Sequence, residues 1–291
     1  MSSASPPLMI GGFKQSEIGK CTIPLSNSIS LRIYSGTQPR HWKIAGLQKG
    51  LILVYKGVEM VGEGTGFGVP VLLFADNTYF SATSRLCAFS EKGLKTVHKV
   101  FFMDTVQRKR IRGVSIEDKA ALALLRYTAT LYRRYKGIRP LLNALKKLNV
   151  RLGLRTTFDK TRPVGEVRVA FSISPGSVDV KVDLCLLKKE GLKGVVIFNE
   201  QGSRFLRRYT DSLGADLIDG EIGAWERVEA EWACLTDPLR GFGFRLYRVK
   251  NSVLRRGQEF RQGEVDWVGL DYEINPESDH FEYGIEFLGV D

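Results

Sequence analysis

The sequence predicts a mainly β protein: a large antiparallel β-sandwich that carries an inserted helical hairpin around residues 115–149. Three observations point there. Runs of β-branched and aromatic residues, punctuated by Gly, Asn and Asp, recur along most of the chain. The run Val178-Asp179-Val180-Lys181-Val182-Asp183-Leu184 alternates apolar with charged residues, the period of an antiparallel strand with one wet face. Only after Ser115 does the apolar period lengthen from two to 3.6.

Taken in order, strands are expected at Ile29 to Tyr34, Leu51 to Val61, Val69 to Phe74, Thr96 to Met103 and Thr105 to Ile111. Ser115 followed by Asp118 then resembles a capping box with Asp in place of Glu, and Glu117 and Asp118 suit the positive end of a helix. Apolar or aromatic positions recur at Ala121, Leu124, Leu125, Leu131, Tyr132 and Tyr135, and Gly137 ends the helix. Pro140 begins a second, shorter helix through Leu141, Leu145 and Leu148. Strands resume at Val150 to Phe158, Glu166 to Ser174, Val178 to Leu187 and Val195 to Asn199. Four more follow at Ala224 to Leu235, Phe242 to Val249, Val265 to Ile274 and Phe281 to Leu288. The preferred organisation is one large β domain over residues 1–291. The alternative is a basic β/helical domain, 1–160, followed by an acidic β domain, 161–291.

That alternative rests on charge. Residues 1–160 hold 26 Lys+Arg against 9 Asp+Glu, a net +17, whereas residues 161–291 hold 17 against 23, a net −6. A cationic surface attracts phosphate, sulfate or carboxylate partners, while clustered carboxylates suit sugar hydroxyls, cations or acid/base chemistry. With 43% hydrophobic and 26% charged residues, the composition is that of a folded globular chain. The longest apolar run, Val69 to Ala75, is far shorter than the roughly 20 residues a membrane helix needs. The N-terminus lacks the basic-then-apolar pattern of a secretory signal, so a cytoplasmic location is expected.

Cys21, Cys87, Cys185 and Cys234 are scattered, without a Cys-x-x-Cys or Cys/His cluster, which argues against a zinc knuckle or a disulfide scaffold. Cys185 and Cys234 lie in apolar runs and are read as small buried hydrophobes. His41, His98 and His280 are too far apart in sequence to make a metal site or a catalytic triad evident. No metal and no cofactor is expected.

Gly62-Glu63-Gly64-Thr65-Gly66-Phe67-Gly68 contains a Gly-x-Gly pair, but a strand follows it where a phosphate loop would need a helix. It is read as a bent or bulged strand. The bend opens room beside Glu63, Phe67, Asp76 and Tyr79, where carboxylates could accept sugar hydroxyls and rings stack on a pyranose face. Carboxylates and indoles recur later at Trp225, Glu226, Glu229, Glu231, Asp266, Trp267 and Asp271. Asn199 to Arg204 reads as a polar turn after a buried strand, so Glu200 and Arg204 join the candidates. The catalytic candidates are Glu63, Asp76, Glu200, Glu229 and Asp271, and the ligand-binding candidates Phe67, Tyr79, Arg204, Trp225 and Trp267. The bland alternative pairs these acids with Arg227, Arg245, Arg248 and Arg255 across strands and sends the indoles to the core.

The pattern of long antiparallel strands, a bent glycine-rich strand and acid/aromatic pairs resembles the large super-sandwich-like folds of sugar epimerases, polysaccharide lyases and carbohydrate-binding modules. The resemblance is one of fold and implies a carbohydrate-active or carbohydrate-binding protein. The second class is a non-enzymatic nucleic-acid or polyanion-binding module, with Lys119, Arg126 and Arg133 seven apart on one helical stripe. Self-association of the oppositely charged halves is a third.

Overall fold

The computed structural model describes residues 16–17, 19–36, 47–62, 64–75, 77–91, 94–111, 114–115, 154–202, 204–261 and 264–289. The expected helical hairpin at 115–149 therefore lies outside the described residues, except Ser115. Among the described residues there is no α-helix, and the one helical turn is the 3-10 segment Asp219–Glu221. None of them forms a helix long and apolar enough to cross a membrane.

Chain order begins with β1 (Ser16–Glu17), β2 (Lys20–Pro24), β3 (Ile29–Tyr34), β4 (Ile52–Tyr55) and β5 (Val58–Glu59). Next come β6 (Gly66–Phe74), β7 (Thr78–Phe80), β8 (Thr83–Glu91), β9 (Leu94–Phe102), β10 (Thr105–Ile111) and β11 (Val114–Ser115). The chain continues with β12 (Leu154–Lys160), β13 (Glu166–Ser174), β14 (Ser177–Asp183), β15 (Leu192–Gly202), β16 (Arg208–Asp211) and β17 (Asp216–Ile218). It ends with β18 (Glu226–Arg227), β19 (Trp232–Thr236), β20 (Gly243–Tyr247), β21 (Ser252–Arg261), β22 (Glu264–Ile274) and β23 (His280–Leu288).

These strands form three antiparallel sheets. The first runs β1-β8-β9-β13-β14-β23-β20-β19-β16-β17, and the second β11-β10-β7-β6-β15-β22-β21-β18, with β12 also on β10. The third is the small meander β2-β3-β4-β5. Both large sheets draw strands from either side of residue 160. They lie face to face: the Phe67 ring of β6 meets Phe244 of β20 and Phe287 of β23, at centroid distances of 4.8 and 5.8 Å. Most of the buried apolar residues, from Cys21 to Phe287, belong to one continuous cluster, and Ile52, Val54 and Val61 form a small second one. The meander closes against the sandwich through Tyr55, stacked on Phe242 at 4.6 Å.

The glycine-rich bend is a bulge. Gly66 and Gly68 have φ of +83° and +74°, and the register of β6 with β15 slips between Phe198 and Asn199. A Cβ on Gly68 would lie 2.8 Å from the Phe171 ring, so only glycine lets β6 sit this close to β13.

Several expectations need correction. Leu51 to Val61 is not one strand: Lys56 and Gly57, both at positive φ, turn the chain between β4 and β5. Ala224 to Leu235 divides between β18, in the second sheet, and β19, in the first, so Glu229 and Glu231 do not share a strand. Asn199, Glu200 and Gln201 are not a polar turn. They continue β15 and are 0%, 5% and 0% exposed. Cys185 is not buried, because β14 ends at Asp183 and the thiol sits exposed in the following turn.

Candidate functional site

In an antiparallel sheet, residues opposite one another share a face, and residues two apart along a strand share it too. Register therefore decides which side chains meet. Glu200 of β15 lies opposite Gly66 of β6 on one side and Gly269 of β22 on the other, and Gly269 lies opposite Gly257 of β21. Four strands are crossed by a row in which Glu200 is the one side chain beyond hydrogen.

Trp225, from the loop before β18, fills the space the glycines leave. A Cβ on Gly257 would be 2.5 Å from the Trp225 ring, and one on Gly269 would be 2.9 Å from that ring and 3.0 Å from Glu200 Cγ. The indole and the carboxylate thus lie side by side over bare backbone, with Glu200 only 5% exposed.

Asp271 is two residues from Gly269 and so belongs to the same face of β22, 3% exposed. Its Oδ1 accepts the backbone N–H of Asn199 at 2.8 Å, supplying an acceptor where the bulge interrupts the ladder. Across β21, Arg255 stands opposite Asp271 and pairs with Glu273 at 2.5 Å. Trp267, opposite Gly202, also belongs to this face. Phe198 continues it toward Phe80, at a ring separation of 6.5 Å, and Phe80 meets Phe158 edge-on at 5.2 Å.

Four of the sequence candidates thus come together: Glu200, Asp271 and Trp267 lie on one face of adjoining strands, and the Trp225 ring packs over it. The others are elsewhere. Phe67 faces the opposite way, enclosed between the two large sheets. Tyr79 stands opposite the buried Leu72 and packs edge-on against Phe74 at 5.2 Å, on the inner side of β7. Glu229 is exposed and holds Arg227 at 2.8 Å, while Arg248 donates to its backbone carbonyl at 3.1 Å. Arg204 is exposed in the turn after β15. Glu63, Asp76, Lys119, Arg126 and Arg133 lie outside the described residues.

Cross-strand ion pairs are also present, as the bland reading expects. Arg245 meets Glu286, its register partner, at 3.1 Å and lies over the Trp232 ring at 4.6 Å. Shallow surface depressions are lined by Arg227, Arg248 and Lys250, and by Phe102, Pro163 and Lys188; neither contains the Glu200 row.

No protein-family model matches the chain, and no curated protein matches it in sequence. Among solved structures it is similar to that of Slr1438 protein from Synechocystis sp. PCC 6803, with 9% identity, 99% of each chain covered and a TM-score of 0.36.

Proposed function

We propose that this protein binds a carbohydrate, or acts on one, at the face centred on Glu200 and Asp271. The supporting observation is the row in which Glu200 lies among glycines and beside Trp225, with Asp271 and Trp267 on the same face. Carboxylates accept sugar hydroxyls, and an indole offers the flat apolar surface that a pyranose ring covers. Two carboxylates on neighbouring strands also match the acid and base of glycosidic chemistry, in which one must hold a proton while the other is ionised.

The test is a glycan array probed with the wild type and with Glu200→Gln, Asp271→Asn and Trp267→Ala, followed by titration of any ligand at low and high salt. Sugar binding should be lost in the variants and barely respond to salt. Binding that falls steeply with salt and survives all three substitutions would instead favour the polyanion-binding module, since phosphate contacts release counterions. That second reading draws on the positive excess in residues 1–160. Its own variant is the triple replacement of Lys119, Arg126 and Arg133 by Glu.

A further inference from the structure

On the other large sheet, β14 ends where β23 begins, and three side chains of different chemistry meet there. Asp183 and His280 are direct register partners, and Cys185 follows Asp183 by two positions. Cys185 Sγ lies 3.7 Å from His280 Nε2, and His280 Nδ1 lies 3.9 Å from Asp183 Oδ1. One ligand atom from each of the three falls within 4.8 Å of the others.

The surroundings hold this arrangement in place. Leu184, fully buried, anchors the turn, and its N–H donates to Asp279 O at 2.8 Å. Asp183 Oδ1 accepts the Cys185 N–H at 2.9 Å, which turns the chain so that the thiol faces β23. Lys189, further along the same connection, donates across to the facing loop, to Glu277 O, Ser278 O and the Asp279 carboxylate at 3.1, 3.2 and 2.6 Å. Both backbones are fixed, while the three side chains stay accessible.

We propose that Asp183, Cys185 and His280 form a binding site for a zinc-class divalent cation. A thiolate, an imidazole and a carboxylate are the donor set that borderline metals take, with the fourth tetrahedral position left to water or an external ligand. Bonds of about 2.0–2.3 Å require donor separations of roughly 3.3–3.8 Å, so the sulfur–nitrogen edge is already in range. The remaining edges close by small rotations of exposed side chains. On binding, the thiol proton leaves to solvent and sulfur becomes a thiolate ligand.

A nucleophilic Cys-His-Asp relay uses the same residue types but needs the carboxylate on the far side of the imidazole from the thiol. Here the thiol and the carboxylate approach different ring nitrogens, but at 3.7 and 3.9 Å both contacts are too long for relay hydrogen bonds, and one donor atom of each residue lies within 4.8 Å of the others.

Cobalt(II), added to the full chain, is the direct probe. One equivalent should give the thiolate-to-metal charge-transfer band and the visible bands of tetrahedral cobalt, and zinc should bleach both. Cys185→Ser should abolish the charge-transfer band. His280→Ala and Asp183→Asn should each weaken binding by at least about 10-fold, a loss that even outer-shell partners cause. Zinc should also protect Cys185, the exposed cysteine among Cys21, Cys87, Cys185 and Cys234, from iodoacetamide, as read by peptide mass, with chelator restoring alkylation. Absence of the bands in the wild type, affinity unchanged in the His280 and Asp183 variants, or alkylation indifferent to zinc would each overturn the site. All three positions are at the surface, and circular dichroism of each variant verifies that the fold is kept.

Discussion

Asn199 and Tyr283 join the two large sheets through the middle of the core. The Tyr283 hydroxyl donates to Asn199 Oδ1 at 2.6 Å, and the same oxygen accepts the N–H of Gly68 at 3.1 Å. The Asn199 amide nitrogen donates to the carbonyls of Leu270 and Ile197, at 3.1 and 3.3 Å. One fully buried amide therefore satisfies β6, β15, β22 and β23 at the bulge, where the ladder cannot. Burial holds the Tyr283 hydroxyl protonated, its pKa well above the usual tyrosine range.

Removing the hydroxyl leaves an acceptor that still has the Gly68 N–H, whereas removing the amide strands several buried groups at once. Tyr283→Phe should cost about 1–2 kcal/mol of stability, and Asn199→Ala distinctly more. Urea unfolding with an unchanged slope measures both. Equal costs would mean that the network does not act as a unit.

Lys99 gives the protein a pH dependence of defined sign. Its register partners Leu86 and Val169 are both fully buried, and its ammonium nitrogen donates to Tyr34 O at 2.7 Å and Lys49 O at 2.5 Å, over the Phe101 ring at 5.0 Å. Burial pushes its pKa down to about 7. The unfolded chain, with a lysine pKa of about 10.4, binds the proton between those values and the folded chain does not. Stability should therefore rise as pH increases from about 7 toward 10 and be lowest below 7. The slope has an upper limit of about 1.4 kcal/mol per pH unit. Lys99→Met should remove that slope in denaturant midpoints measured across the range, although it leaves two carbonyls to find other donors. A variant with the wild-type slope would refute the assignment.

Glu229 and Glu200 make a matched pair for testing burial against mere charge. The Glu229 carboxylate is exposed beside Arg227, and such pairs contribute little. Glu229→Gln should leave both the melting temperature and any glycan binding unchanged. Glu200→Gln should change the binding.

Strands were legible where one face is wet, because alternation survives: Val178 to Leu184 reads directly as β14 with its buried Val178, Val180 and Val182. The interior of β15 was not. Asn199, Glu200 and Gln201 look like a turn because a one-dimensional pattern equates polar with exposed, whereas here the strand runs on through a bulge whose Gly68 and Asn199 N–H groups are met by the buried Asn199 and Asp271 side chains. β21 was missed for the related reason that Arg255 and Arg256 lie within it, neutralised by Glu273 and Glu226 on adjacent strands. Likewise, Cys185 and His280 are 95 positions apart and meet only through the β14–β23 register, which no spacing rule anticipates. Asp271 was visible as an acid near an indole and Glu200 as part of an expected polar turn, but their common face follows from register alone.

The bed beneath Trp225 provides the sharpest test of that face. A Cβ at Gly257 would come within 2.5 Å of the Trp225 ring and 2.8 Å of its Cα, so the alanine cannot be absorbed by a simple rotation of the indole. Overpacking of this kind costs about 1–3 kcal/mol. Gly257→Ala should therefore destabilise the protein, displace Trp225 from beside Glu200 and shift the indole fluorescence toward that of a wetter ring. In the Trp225→Ala background the ring clash is gone, leaving only the contact with the backbone of residue 225. The same glycine substitution should then cost much less, and the difference between the two costs is the coupling energy of the pair. If both substitutions cost the same in either background, Trp225 does not rest on Gly257, and the arrangement that places an indole against Glu200 fails with it.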